Sequence, residues 1–192
     1  MRLFIALTLP TEVQSGLSRF IETLKPAAVG TIRWVKPANL HLTVKFLGEV
    51  REQNAKQVFD AVGQVANDTL PFTFSIQGSG VFPDWKHPRV LWVGVQSAEP
   101  IVLLSERLDK SLQTLGFSPE GRPFNPHLTL GRVNDGVSEA HLKGLMTQFL
   151  QTENRLFGSI HAEELHIVKS DLRPEGPIYT TWASCRFSSA AK

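Results

Sequence analysis

One repeated tripeptide constrains this chain more than any other feature. His41-Leu42-Thr43 returns as His127-Leu128-Thr129, 86 positions later. A shuffled chain of this composition would carry about 0.05 copies of His-Leu-Thr, so a pair is a strong signal where either copy alone would be weak. Each copy lies in an apolar run rich in β-branched residues. The first, from Leu40 to Leu47, is closed by Gly48, which is the pattern of a strand. Residues two apart on a strand share a face. His41 and Thr43 therefore point one way while Leu42 and Val44 point into the core, and His127 and Thr129 oppose Leu128 and Leu130 in the same manner.

Two such strands facing one another make a symmetric pocket of two imidazoles and two hydroxyls. Imidazole, with an ordinary pKa of about 6.5, is the side chain best suited to exchange protons near neutrality. One neutral ring can deprotonate an attacking water while a protonated ring supplies the leaving oxygen. Threonine hydroxyls can donate to phosphate oxygens on which charge accumulates, and their β-branched side chains have few rotamers to freeze. The expectation is catalysis by His41 and His127, phosphate binding by Thr43 and Thr129, and no metal. Zinc needs at least three converging ligands, and His161 and His166, five apart, fall on opposite faces of a strand.

The motifs, with their Asn39-Leu40 and Phe124-Asn125-Pro126 lead-ins, resemble the 2H phosphoesterase superfamily. Within it the pattern is most similar to the RNA 2′,3′-cyclic phosphodiesterases, also called 2′-5′ RNA ligases. The resemblance also takes in Met1–Leu7, Gly80–Pro83, Pro88–Gly94 and the segment from Ser170 to Tyr179, so it spans nearly the whole chain. It implies an α+β, bilobal, pseudo-two-fold fold, with two mainly antiparallel sheets and flanking helices around a central cleft. Residues 1–192 are expected to form a single domain of two intimately packed lobes, each contributing one motif. The implied reaction opens an RNA terminal 2′,3′-cyclic phosphate to a 2′-phosphomonoester without a cofactor. Reversible 2′-5′ ligation of tRNA halves is a further activity of some members. The resemblance makes His41 the proton donor and His127 the acceptor; the two motifs are chemically equivalent, so their symmetry alone cannot decide this. Two other uses of such a pocket are the same chemistry on a small cyclic nucleotide or an ADP-ribose cyclic phosphate, and a non-catalytic module that binds nucleotides or RNA ends.

Lys45 shares the parity of His41 and Thr43 and is a candidate for the rim of an RNA or phosphate site. Arg132 is out of parity with His127 and reaches such a rim only if the strand ends or bulges at Gly131. Phe46, out of parity with His41, is assigned to the core. Trp34, close to the first motif, is the leading aromatic candidate for base stacking, with Trp85 and Tyr179 behind it and core packing the competing use of each. Arg33, Lys36, Lys86 and Arg89 are candidates for a local basic rim.

The rest of the chain supplies a scaffold. Helical spacing predicts helices over 11–24, with Thr11 as cap, and over 49–67, 97–115 and 138–150. Strands are expected near 3–9, 71–82, 89–95, 164–169 and 178–187, with a loop over 116–125. A net charge of +2 is too small to mark a dedicated nucleic-acid binder, so RNA contacts must be local. The single cysteine, Cys185, excludes an internal disulfide and fits a reducing compartment. The apolar start, Leu3 to Leu9, is too short to span a membrane and lacks a signal-peptide pattern. A cytoplasmic monomer is the expectation.

Overall fold

The computed structural model describes residues 1–119, 121, 123–174 and 176–189. Glu120 and Arg122 of the expected 116–125 loop, and Glu175 of the segment from Ser170 to Tyr179, lie outside the described residues. In chain order the elements are β1 (Arg2–Leu7), α1 (Thr11–Leu24), β2 (Ile32–Trp34), β3 (Leu42–Glu49), α2 (Glu52–Asn67), β4 (Phe72–Phe82) and β5 (Val90–Gln96). They continue with α3 (Glu99–Gln113), β6 (His127–Val133), α4 (Glu139–Leu150), β7 (Leu156–Ala162), β8 (Glu164–Asp171) and β9 (Ile178–Arg186).

The strands form two antiparallel sheets, ordered β3-β1-β8-β9 and β2-β6-β5-β4-β7. Each sheet carries one motif strand, and β3 touches β6. The first sheet joins the beginning of the chain to its end. β1 sits inside it, and Leu3 through Leu7 are all buried, which accounts for the uninterrupted apolar run at the N-terminus. Helices α2 and α3 pack together behind this sheet, α2 against β8 and β9 and α3 against β3, while α1 packs on β7 and α4 on β4 of the other sheet. Each helix buries a stripe at helical spacing, such as Val13, Leu17, Phe20, Ile21 and Leu24 of α1. Residues from both sheets, among them Ile5, Leu42, Leu91 and Leu128, belong with Phe149 of α4 to one continuous buried cluster.

The α+β architecture agrees with the sequence reading, with differences of detail. Thr11 opens α1 rather than capping it, Pro10 stands at the cap position, and no side chain bonds the helix start. Strand β7 is absent from the sequence expectations. Only Ile160 and Ala162 of it are buried, so its inward pattern is too short to read. It also contains Gly158, at φ 144°, where an added Cβ would lie 2.9 Å from Val13 Cγ2 under α1. No helix among the described residues is long and apolar enough to cross a membrane.

Gly158→Ala forces a side chain into both an unfavourable backbone region and an occupied space. It is expected to cost about 1–3 kcal/mol, read as a lower urea midpoint at unchanged slope.

Candidate active site

Both motif strands break their pairing immediately after the threonine. Along β3, Ala6 faces Thr43 and Ile5 faces Lys45, which leaves Val44 unpaired. Along β6, Trp92 faces Thr129 and Leu91 faces Gly131, which leaves Leu130 without a partner on β5. One extra residue inverts the alternation beyond it. The residue five places after each histidine, out of parity on an ideal strand, therefore joins the histidine's face. In β6 that residue is Arg132, exposed. In β3 it is Phe46, 62% exposed, its ring centroid 6.2 Å from that of Phe4.

The same inversion corrects two sequence expectations. Phe46 is not in the core. Lys45 is not at the cleft: it is 2% exposed, turned to the helix side of the sheet, with Nζ 2.7 Å from Asp109 Oδ1 of α3. It also donates to the Ser118 carbonyl at 2.8 Å, tying β3 to the loop that leads into the second motif.

The histidines are held alike. His41 Nδ1 lies 2.7 Å from the Asn39 carbonyl, and His127 Nδ1 lies 2.7 Å from the Asn125 carbonyl. A carbonyl only accepts, so Nδ1 carries the proton in both neutral rings and Nε2 presents a lone pair. Their outer nitrogens differ. His41 Nε2 is 2.8 Å from Thr43 Oγ1, which donates to it, whereas His127 Nε2 has no hydrogen-bond partner among the described residues. The Asn39 amide also donates to the Pro177 carbonyl at 2.8 Å, anchoring the start of β9 beside the first motif.

Aromatic rings wall each imidazole. Phe4 stacks on His41 at 4.7 Å and the Tyr179 ring meets it edge-on at 5.2 Å. Phe82 meets His127 edge-on at 4.8 Å, with Trp92 at 6.1 Å. These walls remove water, and desolvation holds both histidines below their ordinary pKa, against the smaller upward pull of the Asn39 and Asn125 carbonyls. The Arg132 charge lowers His127 further. It also opposes the upward effect of burial on Tyr179, so Arg132 lies within electrostatic reach of rings flanking both motifs.

The other sequence candidates fall elsewhere. Trp34 is half-buried against the core, its Cε3 3.0 Å from where a Cβ on Gly131 would stand. Trp85 lies over α4, 6.2 Å from Phe149. His161 and His166 belong to different sheets: His161 lies 3.1 Å from Thr73 Oγ1, and His166 bonds Thr8 and Ser184. Cys185 is buried. Among the described residues no group of three metal-ligating side chains converges. The concavities beside α3 and α4 contain neither motif.

His41, His127 and His166 all have folded pKa values below the ordinary 6.5. The unfolded chain therefore protonates first. Their contribution to stability is complete above about pH 6.5 and is lost as pH falls through the folded values. Nitrogen-15 NMR titration is expected to show Nδ1–H tautomers for His41 and His127 and midpoints below 6.5; a midpoint above 6.5 for either ring would contradict the burial argument.

The family model described as "LigT like Phosphoesterase" matches the chain twice, over residues 7–92 and 93–179. An RNA 2′,3′-cyclic phosphodiesterase of Methanothermobacter thermautotrophicus is 37% identical over 180 residues, covering 94% of the chain and 95% of the relative. One from Thermotoga maritima is 33% identical over 187 residues, covering 97% and 96%. A crystal structure of a Thermus thermophilus protein superposes with a TM-score of 0.83 at 28% identity over the whole of both chains. Escherichia coli LigT in complex with 3′-AMP gives a TM-score of 0.77 at 26% identity over 97% of each chain.

Proposed function

The chain belongs to the LigT-like phosphoesterase family, and we propose that it is an RNA 2′,3′-cyclic phosphodiesterase working by two-histidine acid–base catalysis. The observation that carries this reading is the matched pair of imidazoles. Each has its inner nitrogen fixed to the carbonyl two residues earlier and its outer nitrogen presented for proton exchange. A site that only bound phosphate would need donors, not a matched acid and base.

In this reading the cyclic phosphate sits between the two motifs. His127 Nε2, with its lone pair unengaged, takes a proton from water as the water oxygen bonds to phosphorus. The bond from phosphorus to O3′ breaks, and His41 Nε2–H gives its proton to O3′, leaving a 2′-phosphomonoester. Thr43 and Thr129 donate to the non-bridging oxygens. Thr43 bonds the neutral His41 ring, and it is released for this task when His41 gains its proton. His41 takes that proton from solvent as the substrate binds, because a bound phosphate anion raises the pKa of a neighbouring histidine, offsetting desolvation. A 5′-hydroxyl of a second RNA in place of water gives a 2′-5′ linkage, so ligation is the same step with another nucleophile. The two sheets act together as one domain with two lobes, because the acid and the base come from different sheets.

The phenylalanine beyond the first motif supports a nucleotide substrate. Phe46 is an exposed flat ring on the face of Thr43, suited to stack on a base without reading its identity. The complex of a relative with 3′-AMP supports a second substrate reading, in which mononucleoside cyclic phosphates are also opened.

His41→Ala and His127→Ala are each expected to lower kcat by about 10²–10⁴-fold on a short RNA ending in a 2′,3′-cyclic phosphate, with unchanged circular dichroism. The wild-type rate should survive EDTA. Full activity in either variant, or activity abolished by chelation and restored by metal, would sink the mechanism. Phe46→Ala is expected to weaken substrate binding by about 1–3 kcal/mol, seen as a raised KM with little change in kcat.

A further inference from the structure

Arg33 and Arg132 are cross-strand partners, directly opposite one another where the edge strand β2 pairs with β6. Opposed side chains on adjacent strands lie about 4.5–5.5 Å apart at Cβ, and like charges in that position repel. Folded chains normally relieve such a pair with a carboxylate. Here both arginines are exposed, and neither has an ion-pair or hydrogen-bond partner among the described residues. Two guanidinium groups thus stand side by side on the face that carries His127 and Thr129, an arrangement that an anion between them would stabilise.

Its location separates it from the reacting phosphate. The register shift at Leu130 is what brings Arg132, and Arg33 with it, onto the cleft face. Arg132 stands three residues beyond Thr129, about 7–10 Å of strand. Arg33 is one strand further out, at the sheet edge. The Arg132 charge is felt at His127 and at Tyr179, which places it beside the reacting centre without touching it. Arg33 adds a second charge that a single cyclic phosphate, bearing one negative charge, does not require. The first motif has no equivalent, because the position matching Arg132 is Phe46.

We propose that Arg33 and Arg132 together bind a second phosphate, the phosphodiester that joins the terminal cyclic-phosphate nucleotide to its neighbour. The inference rests on the phosphodiesterase reading and extends it: this subsite makes an RNA end a better substrate than a mononucleotide. Guanidinium suits the task because its planar fork bonds two phosphate oxygens at once. The asymmetry of Arg132 and Phe46 also orients the substrate, with its base toward the first sheet and its upstream backbone along β6.

The test compares kcat/KM for a mononucleoside 2′,3′-cyclic phosphate and for a tetraribonucleotide ending in the same group, in wild type, Arg33→Gln and Arg33→Lys. The tetranucleotide advantage is expected to fall about tenfold in Arg33→Gln, to be partly kept in Arg33→Lys, and to lose about 0.7 from its salt-dependence slope. A tetranucleotide whose last internucleotide phosphate is a neutral methylphosphonate needs no protein variant. With wild type it should show at least the same loss, and with Arg33→Gln only the smaller remainder owed to Arg132. Removing one of two repelling charges should leave the melting temperature unchanged or raised. Equal losses on both substrates, or a full tetranucleotide advantage in Arg33→Gln or with the methylphosphonate, would overturn the subsite. Failure of the wild type to turn over either substrate would instead defeat the phosphodiesterase reading. Anisotropy of a labelled RNA ending in a 2′-phosphate would still read the arginine pair in that case. A loss of affinity confined to competition by inorganic phosphate, with RNA binding intact in Arg33→Gln, would mean a free-anion site and not an RNA contact.

Discussion

A strand shows only every second side chain to one face, and this cleft collects three from each motif strand at spacings of two and then three. One extra residue after each threonine reconciles those demands. Val44 in β3 and Leu130 in β6 invert the alternation at equivalent points. Without the inversion, Phe46 and Arg132 would turn toward the core and the lysine and glycine before them would face the cleft. With it, Lys45 is free to turn inward and bind Asp109 and the Ser118 carbonyl, so the residue displaced from the cleft fastens the first motif strand to α3 and to the loop entering the second. A buried charge of this kind is tolerable only because it is paired and hydrogen-bonded.

Proton chemistry depends on a second pair of local constraints. The carbonyls of Asn39 and Asn125 fix which nitrogen of each ring carries the proton, and the aromatic walls fix how little water reaches it. Burial favours the neutral form of both rings, and in the proposed mechanism His41 becomes competent as the acid when the anionic substrate arrives. The asymmetry needed for a directional reaction lies outside the repeated tripeptide. Thr43 engages His41 Nε2, nothing among the described residues engages that of His127, and the matching outer positions hold Phe46 on one side and Arg132 on the other.

The two motif strands, the four helices and the outward direction of His41, Thr43, His127 and Thr129 are legible in the sequence, because these follow from periodicity and repetition. Lys45, Phe46 and Arg132 are misplaced or left open by it for one reason: parity is counted along an ideal strand, and a register shift is a property of the pairing between strands. A clue is present. Both strands carry an informative residue at the same offset of five, and the repeat extends back to an asparagine two residues before each histidine. Strand β7 escapes because its packing partner, α1, lies more than a hundred residues earlier, and its own seven residues bury little. Tyr179 reads from sequence mainly as core, yet the Asn39 bond to Pro177 delivers it to His41.

The most direct test is the pH dependence of kcat in the two histidine variants, followed through their residual activity. An acid must be protonated to act, so His41→Ala should lose the alkaline limb of the profile and keep the acidic one. A base must be deprotonated, so His127→Ala should lose the acidic limb and keep the alkaline one. Profiles in which both variants retain both limbs would show that neither histidine moves a proton in the rate-determining step.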